Sequence, residues 1–290
     1  MIFNELKNSF NKGSVLSRLI YINLFLFVII KVVGVVFFLF NVDNIHLNSF
    51  LALAANAKTL ISRPWTPLTY MFTHTGFLHL FFNLLWLYFG GSIFLKYLSN
   101  KQLVSTYFLG GFFGGLFYVL SYNYFPAFKE AMISSSAMGA SASVLAILIG
   151  IATVAPNYNV NLTFIGNVKL KYIAIIITVL DLILIPEGNA GGHIAHLGGA
   201  FYGFFFAQQL KKGKDISKWF DSLMIYIVSA FESKPRMKSV YKKPMTDDQW
   251  RANKAQKQNE INHILDKIAK SGYDSLTKQE KDILFRESNK

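Results

Sequence analysis

A hydroxyl, two imidazoles and a carboxamide stand near the heads of three separate apolar runs in this 290-residue sequence: Ser141 in 137–155, His196 in 193–209, and His79 with Asn83 in 78–98. A serine hydroxyl attacks poorly until a base takes its proton, and a neutral imidazole has a pKa suited to that task. Ser141 and His196 therefore supply a nucleophile and a base. A tetrahedral oxyanion also needs hydrogen-bond donors. The spacing His79-x-x-x-Asn83 puts an imidazole and a carboxamide one turn apart on one helical face, and the backbone N–H of Ser141 adds a third donor. Gly139 gives the chain freedom to bend just before Ser141, where a helix N-terminus favours negative charge.

Each residue alone has a plainer reading. Ser141, flanked by Ala140, Ala142 and Ser143, reads as a small packing residue, and His79 with Asn83 reads as a polar pair between helices. The coincidence of all four at similar depth argues for chemistry. Rival proteolytic chemistries fail on inventory. A zinc protease wants His-Glu-x-x-His, and no Glu lies inside any apolar run; an aspartyl mechanism wants two embedded carboxylates, and only Asp181 is present. The chain has no Cys, so a thiol nucleophile, a thiolate metal site and a disulfide are all excluded. The serine chemistry needs no cofactor.

These residues must be carried by helices in a bilayer. The chain is 52% hydrophobic and only 16% charged, with 28 Phe, a balance that a soluble core of this size could not hide from water. Runs near the ~20 residues that a bilayer demands fall at 19–40, 78–98, 103–125, 137–155, 168–185 and 193–209. The expected fold is all-α, a polytopic six-transmembrane-helix bundle. With a helix starting at 137, Ser141 would lie about 6 Å down its axis. Polar groups inside such runs are costly and read as functional by default: Lys31, His79, Asn83, Ser141, Ser143, Asp181, His193 and His196. Asp181 lies within reach of an orienting role beside His196 or of a simple hydrogen-bonded carboxyl, and Lys31 has no assigned role. Gly110-Gly111 with Gly114-Gly115, and Gly199 with Gly203, form small-x-x-x-small patterns that serve helix packing.

The net charge of +13 would suggest nucleic acid in a soluble protein, but here the basic residues report orientation instead, and no nucleic-acid partner is expected. Lys7, Lys12 and Arg18 precede the first run, Lys96 and Lys101 separate the second and third, Lys169 and Lys171 precede the fifth, and Lys211, Lys212, Lys214 and Lys218 follow the sixth. The positive-inside rule then places both termini in the cytoplasm. The first run is too long for a signal peptide and lacks a small-residue cleavage site, so it should remain as an anchor. The outer segment 41–77, with Pro64-Trp65-Thr66-Pro67, should lie in the interface, anchored by Trp65 and Tyr70.

Apolar density ends near Gln208, which divides the chain into a membrane domain at 1–210 and a basic cytosolic tail at 211–290. Residues 219–231 read as an interfacial helix. Thr246-Asp247-Asp248-Gln249 and Thr277-Lys278-Gln279-Glu280 match capping boxes, so a small helical hairpin is expected, with Gly272 closing its first helix. The hairpin's partner is not specified by the sequence.

Three ordered motifs resemble the rhomboid family of intramembrane serine proteases, over residues 64–209. His79-Leu80-Phe81-Phe82-Asn83, followed by Gly90-Gly91, is similar to the family's second helix; Gly139-Ala140-Ser141 to its nucleophile motif; and Ala195-His196-Leu197-Gly198-Gly199-Ala200-Phe201-Tyr202-Gly203 to its sixth helix. The resemblance implies catalytic Ser141 and His196, oxyanion donors His79, Asn83 and Ser141, and structural Gly139, Gly199 and Gly203. It also implies a multi-pass protein of the bacterial inner membrane that acts on transmembrane protein substrates within the lipid bilayer. Two departures stand out: Ala142 follows the nucleophile where Gly is usual, and Leu145 stands where many relatives carry an aromatic ring. A relative that binds membrane clients without cutting them is the alternative, although such relatives typically lack the Ser or the His. A small-solute transporter is disfavoured, since the charged groups form no through-path and no internal repeat is evident.

Overall fold

The structure is a computed structural model that describes residues 10, 13–41, 45–163, 165–231 and 245–288. Contacts divide the chain into two compact units, Met1–Glu232 and Ser233–Lys290. The fold is all-α apart from two short antiparallel pairings of strands.

In the first unit α1 (Val15–Leu39) leads, capped by the Ser14 hydroxyl, which accepts from the Ser17 N–H. Then come α2 (Ile45–Leu51), β1 (Leu53–Ala54), α3 (Ala57–Ser62) and α4 (Thr66–Thr69). The two long helices α5 (Phe77–Tyr97) and α6 (Asn100–Tyr124) follow, the second opened by a Ser99–Gln102 capping box. After β2 (Ser136–Ala137) come α7 (Ser141–Val154), the hairpin of β3 (Asn159–Leu162) and β4 (Gly166–Lys169), α8 (Leu170–Ile183), α9 (Ala190–Lys211) and α10 (Lys218–Phe231).

Among the described residues α1, α5 and α6 are long and apolar enough to cross a membrane. Their outward faces carry large apolar residues, Phe25, Phe38, Phe82 and Tyr88 among them, as lipid-facing surfaces should. The runs expected at 137–155 and 168–185 are shorter as helices. Residues 137–140 belong to a strand and a loop, and 168–169 to the β3–β4 hairpin, because extended pairing there satisfies backbone groups before each helix starts. Each of α7 and α8 has 14 residues.

The centre of the unit is α7, buried at every position from Ala142 to Ala152. Apolar tails solvate a helix as well as another helix does, so close backbone approach must hold it in place. Glycines on the flanking helices allow that approach. A Cβ at Gly199 of α9 would strike the Ala142 carbonyl oxygen, one at Gly203 the Ala146 carbonyl oxygen, and one at Gly110 of α6 the Ala146 methyl. Ala142, in place of the usual glycine, is accommodated because its methyl faces Gly114, where a second methyl would lie 2.5 Å away.

The described part of the outer segment packs onto the helices. β1 pairs with β2 in the register Leu53↔Ala137 and Ala54↔Ser136. Tyr70 is buried, contrary to the anchor role expected of it, and its hydroxyl donates to the Gly111 carbonyl. Trp65 stays partly exposed, with its indole N–H donating to the Phe50 carbonyl at 2.9 Å. Asn23 of α1, a buried polar residue that the list of embedded groups passed over, bonds to Tyr107 of α6 at 3.0 Å, tying the first helix to the third long one. α10 meets α6 through Phe220, which is buried and stacks on Phe108.

In the second unit α11 (Asp247–Ser271) and α12 (Lys278–Ser288) form the helical pair. Both capping interactions are present, Gly272 adopts φ 77° after α11, and Ile264 and Leu276 are buried between the helices. Lys267 bonds both Glu280 oxygens at 2.9 Å, and that bond, followed by the Thr277 donors, holds the Glu280 carboxyl down at about 2.

Candidate active site

One cavity of about 1020 Å³ is lined by Ser141, His196, His79, Asn83, Asp181 and Leu145. It therefore joins the heads of α5, α7 and α9 with the end of α8.

Ser141 is the first residue of α7, and not four residues into a helix as the apolar run suggested. That placement matters chemically, because the first N–H groups of a helix have no intrahelical acceptor and point toward developing negative charge. Gly139 has φ +129°, a conformation L side chains rarely adopt, so the bend before Ser141 requires glycine. A Cβ there would also come within 2.8 Å of His79 Nε2. Gly139 thus lets the His79 ring approach the loop that leads into Ser141.

That loop is held from behind by the segment before α5. The Gly139 N–H donates to the Tyr70 carbonyl at 2.8 Å, and the Ala140 N–H donates to His74 Nε2 at 3.4 Å. With Nε2 accepting, Nδ1 carries the proton and donates to the Phe72 carbonyl at 3.3 Å. His74, within the outer segment 41–77 expected in the interface, is 1% exposed and serves the loop. Burial pushes its imidazole down to about 4, and the charge of His79 pushes the same way. A neutral folded-state imidazole stabilises the protein fully above the unfolded value near 6.5, and that contribution is lost as pH falls toward about 4. The thermal midpoint of purified protein should therefore fall through that window. His74→Gln should flatten the decline, and an equally steep fall in the variant would show that other groups cause it.

His79 is oriented by its neighbours. Its Nδ1 lies 3.1 Å from the Thr75 hydroxyl, and the Thr75 carbonyl accepts from Lys31 Nζ at 3.1 Å. A hydroxyl donating to Nδ1 leaves the proton on Nε2, the nitrogen nearest Gly139. Lys31, which had no assigned role, thus fastens the turn that carries His79. Asn83 is buried and donates to the His79 carbonyl at 2.7 Å, which leaves its second amide N–H available to the cavity.

His196 sits on α9, which begins at Ala190 and not at His193, because Gly188 (φ +130°) and Asn189 (φ 50°) turn the chain into the helix earlier. Its Nδ1 lies 2.8 Å from Asp181 Oδ1, and His193 Nδ1 lies 2.8 Å from the same oxygen. The sequence left Asp181 between an orienting role beside His196 and a plain hydrogen-bonded carboxyl; its oxygen is bonded to both imidazoles. The three groups also offer ligand atoms within 4.8 Å of one another, a spacing that could hold a metal ion, although two hydrogen bonds already engage Asp181 Oδ1 and both Nδ1 atoms. Leu145 supplies an apolar wall to the same cavity in place of an aromatic ring.

Comparison with known proteins bears on this arrangement. A family model described as the Rhomboid domain matches residues 62–212, and a second, described only as a family of unknown function, matches residues 245–290. The chain is similar to RHOMBOID-like protein 12, mitochondrial, of Arabidopsis thaliana, at 27% identity over 177 residues, covering 58% of this chain. The match spans 52% of that relative's length.

Proposed function

Because the chain belongs to the rhomboid family, we propose that it is an intramembrane serine endopeptidase that cuts other membrane proteins in or near their transmembrane segments. The carrying observation is the convergence of Ser141, His196, His79 and Asn83 on one cavity from three helices.

In this reading a substrate helix unwinds beside the cavity and presents a peptide carbonyl to Ser141. The Ser141 proton passes to His196 Nε2 as Oγ bonds to the carbonyl carbon, and the π electrons move onto the carbonyl oxygen. His79 Nε2–H, the free Asn83 amide N–H and the Ser141 backbone N–H stabilise that oxyanion. His196 then protonates the leaving amine, and a water molecule, activated by the same imidazole, hydrolyses the acyl-serine. The chain is a multi-pass membrane protein. Six crossings, with both termini in the cytoplasm of a bacterial cell, are the arrangement that the lysine distribution supports.

The direct test is labelling with a serine-directed fluorophosphonate in detergent, with Ser141→Ala as control. Labelling confined to the wild type is expected. Capture of transmembrane clients with neither labelling nor cleavage would favour the non-cutting alternative. Within the proposed mechanism, Asn83→Ala should lower kcat about 10²- to 10³-fold with little change in KM, since an oxyanion donor acts in the transition state. A pure KM effect in steady-state assays would move Asn83 to substrate binding.

A further inference from the structure

Family likeness describes a two-residue machine and the sequence left Asp181 between two roles, yet the imidazole of His196 has a fixed partner. We infer that Asp181 is a positioning residue for His196, so that the site works as a Ser141–His196–Asp181 relay with His193 as a second brace on the carboxylate. The inference rests on the proposed protease activity and goes beyond it.

The argument starts from hydrogen-bond inventory. An ionised carboxylate only accepts, and Asp181 Oδ1 lies 2.8 Å from Nδ1 of both His193 and His196. Each imidazole must therefore carry its proton on Nδ1, and the Nε2 of His196, a residue that lines the same cavity as Ser141, is left as a lone pair. That is the tautomer a general base needs. An imidazole without this bond would populate both tautomers and rotate about its side chain. When Nε2 gains the Ser141 proton, the imidazolium forms beside a carboxylate on the far side of the ring, which favours the charge-separated step; no proton moves to Asp181. The pair of imidazoles on one oxygen keeps the carboxylate from turning away, and their rings pack edge to face with centroids 6.0 Å apart. Asp181 sits on α8 and both histidines on α9, so the bond also links the two helices that close this side of the cavity.

The groups beside His196 are Asp181 from α8 and His193 from its own helix, and it shares the cavity with His79 from α5, Ser141 from α7 and the phenols Tyr118 and Tyr122 of α6. Of these only Asp181 favours the imidazolium as an anion, while the other imidazoles oppose it when protonated. Removing the carboxylate should thus move the acid limb of kcat/KM to lower pH, an effect that simple loosening of the fold would not produce.

The experiment compares full-length wild type, Asp181→Asn and Asp181→Glu for cleavage of a reporter transmembrane substrate across pH. Thermal unfolding is followed in parallel. The expected result is a fall in kcat of about 10²- to 10⁴-fold for D181N with KM retained, a downward move of its acid limb, and partial recovery in D181E. Wild-type kcat in D181N, or a loss that tracks unfolding with the limb unmoved, would overturn the relay and leave the dyad intact. A wild type that neither cleaves nor takes the fluorophosphonate would overturn the protease reading and the relay together.

Discussion

Ser141→Ala is expected to reduce cleavage of a reporter transmembrane substrate to background, a loss on the order of 10⁶-fold where the assay reaches that far, and His196→Ala is expected to match it. The two groups act as one unit, since a hydroxyl without a base and a base without a hydroxyl are equally unable to begin acyl transfer. The double variant should then be no worse than either single one. His193→Ala should retain measurable turnover, because its ring braces Asp181 and does not face the nucleophile in the proposed relay. Exchange of the two histidine outcomes would move the base to His193. Retained turnover in Ser141→Ala would remove the nucleophile assignment altogether.

Gly199→Ala should lower turnover about 10²-fold although residue 199 touches no reacting group. Its new methyl would meet the carbonyl oxygen, carbonyl carbon and Cα of Ala142, which are backbone atoms of a buried helix and cannot step aside as a side chain could. The helices must separate instead. α9 carries His196 and α7 carries Ser141, so separation acts directly on the distance between base and nucleophile, and a misplacement near 1 Å can cost about 10²-fold in rate. Overpacking of this kind also costs about 1–3 kcal/mol in stability. Both effects should appear together, as reduced kcat and a lowered thermal midpoint. Gly34, whose Cβ would meet nothing, offers the matched control. A Gly199→Ala protein with normal kcat would mean that the α7–α9 contact is looser than the structure has it.

Much of this was readable from residue types alone. Helices that cross lipid announce themselves by unbroken apolar length, and embedded polar residues are few enough that each invites a role; Ser141, His196, His79 and Asn83 emerged that way. The start of α7 did not, because residues 137–140 are as apolar as a helix would be, and only pairing with β1, far away in sequence, makes Ala137 extended. His74 and Lys31 were unreadable for a similar reason. Their partners lie 66 and 44 residues away, and no periodicity links Ala140 to His74 or Thr75 to Lys31. Asp181 lay between these cases. Its presence near the base was visible, but that one of its oxygens serves two rings depends on how α8 meets α9, a packing detail with no sequence signature.

The enclosure of α7 also bears on how the chain is made. Its 14 residues rise about 21 Å, well short of a hydrocarbon core near 30 Å, and from Ala142 to Ala152 none of them faces outward. Such a helix gains little from the lipid and settles only when a protein sleeve receives it. Part of that sleeve is α9, which the ribosome delivers after α7. During synthesis Ser141 therefore precedes His196 and part of its housing, and the site closes only when α9, the last long helix of the first unit, is in place. In the proposed protease reading, a chain that has not yet added α9 has no base beside Ser141 and cannot cut its neighbours.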